Sequence, residues 1–435
     1  MSGSTSTDSP KVSIKVDAIY SYAGYFLKYL SPLILVPYYS HILGPQGYGQ
    51  VLASLSLMSL ICAIVGFGFA YSGIRELAAS NTAQERSEIL GRQMVGRFLL
   101  IPLALAAGLL GTYISPVMRS MPLYGFLATI LGIASAFGLG WFFRGIRKFK
   151  MSVFSEAIFY PINIALVLLL VKEATDGAWV LTSLLAATII SFFITYLLVR
   201  RESTITWGSI QEGIKEIKGS TTLFLSTVST TFLTVGSTYL LTLMIHSSEQ
   251  VGYYGAAEKI ISLAIQMLTP IAQVLLPTIT VLQRDGKLHA NTLVRKGLFL
   301  ETGYGLLVLL GGALIAPLVI PLILGQKFDA SIDLFRIMLL LMPFTAVKHA
   351  LTIYVLIPSR REKHFMSTSG MNVFLSISLA LLLVPHFGTT GMAIARVLAE
   401  MAATFFLFFL LWRDWKKDNI HPLGYLSAAS SRAEP

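Results

Sequence analysis

The sequence predicts an all-α polytopic membrane protein of twelve transmembrane helices, built as two similar six-helix halves. Three observations carry that expectation. The 435 residues are 54% hydrophobic and only 13% charged, with a mean hydropathy of +0.70, and they contain many apolar runs of membrane-crossing length. The loops between those runs alternate between basic and nearly uncharged. Segments of the first half recur in the second.

In chain order, residues 1–17 (MSGSTSTDSPKVSIKVD) are polar and show no cleavage site after a short apolar core, so they read as a tail and not a removable signal. Spans are then expected at 18–42, 49–74, 98–118, 123–143, 151–171 and 178–199. After a linker at 201–220 they follow at 221–245, 255–282, 298–324, 332–357, 366–385 and 391–412. The units are a tail at 1–17, a first bundle at 18–200, the linker, a second bundle at 221–412 and a tail at 413–435.

Each basic loop carries several Lys or Arg residues. Together they hold 25 of the 33 basic residues, among them Arg75, Arg92, Arg97, Arg144, Lys148, Arg361 and Arg413. The opposite loops hold three: Arg119, Lys172 and Lys327. The positive-inside rule places both termini and the basic loops in the cytoplasm. The net charge of +11 is thus an orientation signal and not a nucleic-acid footprint. Cys62, the single cysteine, has no partner for a disulfide within the chain and sits in an apolar run as a packing residue.

Five basic residues fall inside spans: Lys28, Lys259, Arg336, Lys348 and Arg396. Lys28 is near the middle of span one and shares a helix face with Asp17, Ser21, Gly24 and Ser31. A lysine at the bilayer centre costs roughly 2.5–3.5 kcal/mol on insertion scales, so it should face protein or water. It reads as the wall of a polar cavity; pairing with a neighbouring carboxylate for structure alone is the alternative. Snorkelling is an alternative for Lys259 and Arg336, one turn from the outer end. Acidic residues in or at span ends are Glu76, Glu156, Glu258, Glu301 and Glu400. Glu400 follows Arg396 by four residues, the spacing of an intrahelical pair, and a structural pair and a transport role both fit it. In span seven, Thr227, Thr231, Thr234 and Thr238 make one hydroxyl stripe, which lines a water path or bonds neighbouring helices.

The repeat is visible in three pairs of segments. HILGPQGYGQVLASLSL (41–57) parallels IHSSEQVGYYGAAEKIISL (245–263), a Gly-Tyr outer turn entering the next span. WFFRGIRKFKMSVF (141–154) parallels LIPSRREKHFMSTS (356–369), and DGAWVLTSLLAATIISFF (176–193) parallels TTGMAIARVLAEMAATFF (389–406). Six spans per repeat give both halves one orientation, and transporters built this way bind substrate between the halves. The seven histidines have no zinc-ligand spacing, and no phosphate-cradling GxxxxGK[ST] loop occurs, so neither metal chemistry nor ATP hydrolysis is expected.

LILVPYYSHILGPQGYGQ in span one, GFGFAYSGIRELA at the end of span two and VGYYGAAEKIISLAIQMLTPIAQVLLPTITVL in span eight resemble the polysaccharide transporter family, which includes the Wzx-type O-antigen and exopolysaccharide flippases of bacteria. The likeness runs through nearly all twelve spans. It implies the multidrug/oligosaccharidyl-lipid/polysaccharide exporter fold, two six-helix bundles around a central cavity. It implies a polyprenyl-pyrophosphate-linked oligosaccharide as cargo, moved from the cytoplasmic to the outer leaflet of the bacterial inner membrane, without a cofactor. A polysaccharide polymerase and chain-length proteins would be its partners, and nucleic acid would not. In the related lipid II flippases, basic residues of spans one, two and eight meet the pyrophosphate. Lys28 and Lys259 lie in comparable spans here, whereas span two offers only Arg75, at its cytoplasmic end.

On the physical chemistry, a pyrophosphate needs cations in a low-dielectric cavity. The candidate substrate-binding residues are therefore Lys28, Lys259, Lys348, Arg396 and Arg75. Glu301, Glu156 and Glu400 are candidates for carrying a coupled ion. The competing classes are a multidrug-type exporter of the same fold, whose cavity should be acidic, and a membrane glycosyltransferase or polymerase, which needs larger outer loops than this chain has.

Overall fold

The computed structural model describes residues 14–284, 289–359 and 361–418; the two tails expected at 1–17 and 413–435 fall largely outside them. Among the described residues the chain is helical throughout and contains no strand. The first half runs through α1 (Ile14–Gly66), α2 (Phe69–Ala79), α3 (Ala83–Ile114), α4 (Pro116–Arg119) and α5 (Pro122–Ala136). It continues with α6 (Gly140–Gly145), α7 (Phe149–Ala157), α8 (Phe159–Leu170) and α9 (Gly177–Arg200). The second half begins with α10 (Ile210–Thr231), a π-helical turn at Phe232–Gly236, α11 (Ser237–Met244), α12 (Ser248–Gln266) and α13 (Leu268–Arg284). It closes with α14 (His289–Leu324), α15 (Ala330–Leu339), α16 (Leu341–Leu351), a π-helical turn at Thr352–Leu356 and α17 (Glu362–Asp418).

The helices do not coincide one to one with the expected spans. Spans one and two run on as α1, which turns at Gly44, where φ is +64°. Spans eleven and twelve likewise run on as α17 across Gly388, at φ +56°. Both positions need the left-handed backbone that glycine adopts without a Cβ clash, and Pro45 then starts the next helical segment, where its missing N–H costs nothing. Span eight is broken between α12 and α13. Pro270 has no N–H to give the carbonyl of Gln266, which is where α12 ends. Among the described residues nine stretches are long and apolar enough to cross a membrane, and two of them, Ile34–Ala79 and Lys363–Asp414, have room for two crossings each. Large apolar side chains such as Leu109, Leu314 and Leu322 are exposed on the outside of the bundle, as a lipid-facing surface requires.

The halves meet closely at the ends opposite the basic loops. A Cβ on Gly49 would lie 1.8 Å from the Ser248 carbonyl oxygen, and one on Gly252 would lie 2.0 Å from that of Pro45. The two Gly-Tyr turns that repeat in the sequence therefore pack backbone to backbone against each other, an approach only small residues permit. Behind them Tyr48 packs edge-on to Phe328, and Ser115 donates to the Thr242 carbonyl at 3.0 Å.

At the basic-loop ends the stretch 201–220 leads into a helix. Ser209 and Glu212 form a reciprocal capping box, and α10 runs without interruption from Ile210 into span seven. This helix packs on the first half. Glu216 accepts from Arg92 at 3.1 Å and from Ser72 at 3.2 Å, and Phe224 stacks on Phe67 with ring centroids 4.1 Å apart. Arg92 also bonds Glu76. Arg97, grouped with the loop cations by its place in the sequence, is instead 1% exposed. Its guanidinium donates to the carbonyls of Ala136 (3.0 Å) and Gln93 (3.3 Å) and lies over the rings of Phe69 and Trp141.

Candidate functional site

Between the halves lies a cavity of about 420 Å³. One wall is the second leg of α1, which contributes Leu52, Leu55, Ser56, Met58 and Ser59. The opposite wall is assembled from the second half: the π-helical turn after α10, then α11, α12, α16 and α17. All the charged lining residues among the described ones, Glu258, Lys259, Lys348, Arg396 and Glu400, stand on this second wall. Intramembrane ionisable residues facing a cavity are the default mark of a transport path.

Two ion pairs organise that wall. Arg396 on α17 bonds the carboxylate of Glu258 on α12, with Ser237 Oγ at 3.0 Å and the Leu233 carbonyl at 2.9 Å as further acceptors. Ser237 and Thr238 also donate to Glu258. The π-helical turn is what brings Leu233 to this position, and such turns often mark functional sites. The second pair joins Lys348 on α16 to Glu400 on α17 at 2.7 Å, and Glu400 also accepts from Thr345 (2.9 Å) and Asn372 (2.6 Å). The i,i+4 spacing of Arg396 and Glu400 suggested that they pair with each other, and they do not. Each side chain instead takes a partner from a neighbouring helix, where burial rewards a full set of hydrogen bonds.

Lys259 lines the cavity and has no hydrogen-bond or ion-pair partner among the described residues. It is the cation of this wall that a guest can reach without breaking a contact. Lys28 lies within α1, and its side chain is outside the described residues. Arg75 is exposed on α2 and does not line the cavity. Arg336 is also outside the cavity, beside Asp333 at 3.6 Å.

Of the candidate ion-coupling carboxylates, only Glu400 reaches the cavity. Glu301 on α14 is fully buried elsewhere, accepting from Tyr354 at 2.6 Å and lying 2.7 Å from His349 Nδ1. Glu156 is half exposed, 3.1 Å from Arg144, and borders a separate pocket of about 270 Å³ within the first half. From the hydroxyl stripe of span seven, Thr234 and Thr238 line the cavity. His349, Tyr354 and Asn372 are functional candidates that sequence reasoning passed over, and Glu258 was noted as an in-span carboxylate without being assigned a site role. Glu258 carried a usable signal, a carboxylate beside an intramembrane lysine; Asn372 and Tyr354 carried none, because polar residues of their kind are common in spans.

With this geometry in view, three comparisons bear on the chain. The model of a family described as polysaccharide biosynthesis protein matches residues 14–283. A curated protein of Shigella dysenteriae named "Putative O-antigen transporter" is 25% identical over 386 residues, covering 87% of this chain and 95% of that one. One of the same name from Escherichia coli strain K12 is 22% identical over 405 residues, covering 91% and 95%. Among solved structures, the lipid II flippase MurJ in an inward closed conformation superposes with a TM-score of 0.70 over 96% of this chain and 90% of that one, at 13% identity. An inward-facing multidrug resistance MATE family transporter reaches 0.67 over 93% and 96%, at 16% identity. At such identities the two structures establish the fold alone: two helical bundles around a central cavity.

Proposed function

The chain belongs to the polysaccharide biosynthesis protein family, and from that membership we propose that it is a flippase. On this reading it carries a polyprenyl-pyrophosphate-linked oligosaccharide from the cytoplasmic to the outer leaflet of a bacterial inner membrane, both termini being cytoplasmic. The names of the two curated relatives support transport of an O-antigen-type cargo. A polymerase and chain-length proteins would take up the product.

The observation that carries the reading is Lys259, a cation in the cavity between the halves that has no partner among the described residues. A lysine in the membrane interior without a carboxylate has no structural compensation of its own, and a pyrophosphate supplies what it lacks. The polyprenyl tail stays in lipid while the sugar crosses in the hydroxyl-lined cavity, and Lys348, Arg396 and Lys28 add cations along the way. The close outer packing of the two Gly-Tyr turns supports a state loaded from the cytoplasmic side, with passage by alternating access. Cavity cations weigh against a cation-exporting multidrug transporter, for which they would repel the guest.

The test is transport of a fluorescent polyprenyl-pyrophosphate oligosaccharide in proteoliposomes holding wild-type protein or Lys259→Gln. The expected result is flipping by the wild type and at least a tenfold lower rate per folded molecule in the variant. A wild type that flips nothing but exports a cationic dye would replace this reading with the multidrug one.

A further inference from the structure

We propose that Glu258 is the proton-accepting counter-ion of Arg396: when an anionic guest takes Arg396, Glu258 takes up a proton, so that anion binding and proton uptake are one event. This rests on the pyrophosphate reading of the cavity.

Arg396 lines the cavity with both terminal nitrogens engaged. Nη1 serves Glu258 and Ser237, and Nη2 serves the Leu233 carbonyl. Three of the five guanidinium N–H groups are thus engaged, and a guest diphosphate that takes Nη1 displaces Glu258. The carboxylate left behind is almost wholly buried, 6% exposed, and a buried carboxylate stripped of its cation is strongly disfavoured as an anion. A proton delivered through the cavity water from the buffer acid, whose conjugate base stays in bulk solvent, goes onto one Glu258 oxygen and removes the charge, while Arg396 remains protonated throughout.

The surroundings select Glu258 over Glu400 for this role. Glu258 is held by the hydroxyls of Ser237 and Thr238. A hydroxyl donates to a carboxylate and can equally accept from a carboxylic acid, so this shell serves both charge states. Glu400 also accepts from the Thr345 hydroxyl, but its other two donors, the Lys348 ammonium and the Asn372 amide nitrogen, can only donate and so favour the ionised form. The titratable and charged groups around Glu258 are Arg396 and Glu400 from α17, Lys348 from α16, and Lys259 and Tyr254 from its own helix. From α11 and the second leg of α1 the lining residues among the described ones are uncharged. Once Glu258 is neutral, Arg396 and Lys259 stand free on one wall for the same diphosphate.

The experiment uses the purified full chain in lipid nanodiscs, with inorganic diphosphate as the probe. Infrared difference spectra on adding the probe should show a carboxylic-acid C=O band growing as a carboxylate band falls. The band should be absent in Glu258→Gln and present in Glu400→Gln. By calorimetry, wild-type affinity should weaken with rising pH by up to about tenfold per unit more steeply than that of Glu258→Gln, the slope of one linked proton. Diphosphate that binds without a new C=O band overturns this inference and leaves the cavity reading intact. A band that vanishes in Glu400→Gln assigns the proton to Glu400 and also overturns it. Diphosphate that fails to bind removes the cavity reading and this inference together. The wild-type spectrum and the Glu400→Gln variant keep the test decisive if Glu258→Gln does not fold.

Discussion

Arg97 in the first half, 1% exposed, and Arg396 in the second, its side chain 12% exposed, are both arginines largely withdrawn from solvent inside a membrane protein, and they are kept in opposite ways. Arg97 sits between the rings of Phe69 and Trp141 and gives its protons to the backbone carbonyls of Ala136 and Gln93. Those acceptors cannot leave: the carbonyls belong to helices and the rings to the core. Arg396 is held by a carboxylate on another helix and opens onto a cavity. Its main partner is a side chain, which on the proposed reading is exchanged for a guest anion. Burial and charge alone therefore do not mark a functional cation. What separates the two is whether the compensating group can be replaced.

The comparison breaks first at Arg396. Arg396→Leu strands Glu258 and should cost about 3–5 kcal/mol of stability, with loss of transport. Adding Glu258→Leu should restore folded protein, read as thermal stability of the solubilised chain, while transport per folded molecule stays at least tenfold below wild type. A double variant that transports normally would make Arg396 as structural as Arg97.

Arg97 supplies the converse. Arg97→Ala removes a large buried side chain and orphans the Ala136 carbonyl, and should destabilise by about 3 kcal/mol or more. Whatever protein folds should flip cargo at a rate within about twofold of wild type. A stably folded variant without transport would erase the distinction drawn here.

A smaller effect is expected at the outer contact, which neither arginine touches. Gly252→Ala puts a methyl group against the Pro45 carbonyl and should cost about 1–3 kcal/mol, because neither backbone can yield without separating the halves. Cysteine accessibility at Gln46, measured from outside in a Cys62→Ala background, should rise in this variant. Unchanged labelling would mean that the outer ends are not held by this contact.

The smallest effect belongs to Thr345→Val. It deletes one of three donors to Glu400 and leaves Lys348 and Asn372 in place, so about 1 kcal/mol and less than a twofold change in transport are expected. A large loss of transport would show that the Lys348–Glu400 pair is tuned for exchange as the Arg396–Glu258 pair is.

The sequence by itself determined the helical membrane class, the alternation of basic loops and the repeat of the halves. Each rests on composition and on the spacing of apolar residues, which a lipid core imposes on any chain that crosses it. It also marked Lys259, Lys348 and Arg396 as cations that no span would carry without a reason. It did not determine their partners. Arg396 and Glu400 share one helix face, and the local period points them at each other, yet α12 supplies Glu258 to one and α16 supplies Lys348 to the other. Nor did the sequence separate Arg97 from the loop cations, because the rings and carbonyls that enclose it come from α2, α3, α5 and α6. Hydropathy and periodicity describe one helix at a time. Which carboxylate faces which cation depends on how several helices rotate and cross against one another, and only the packed bundle fixes that.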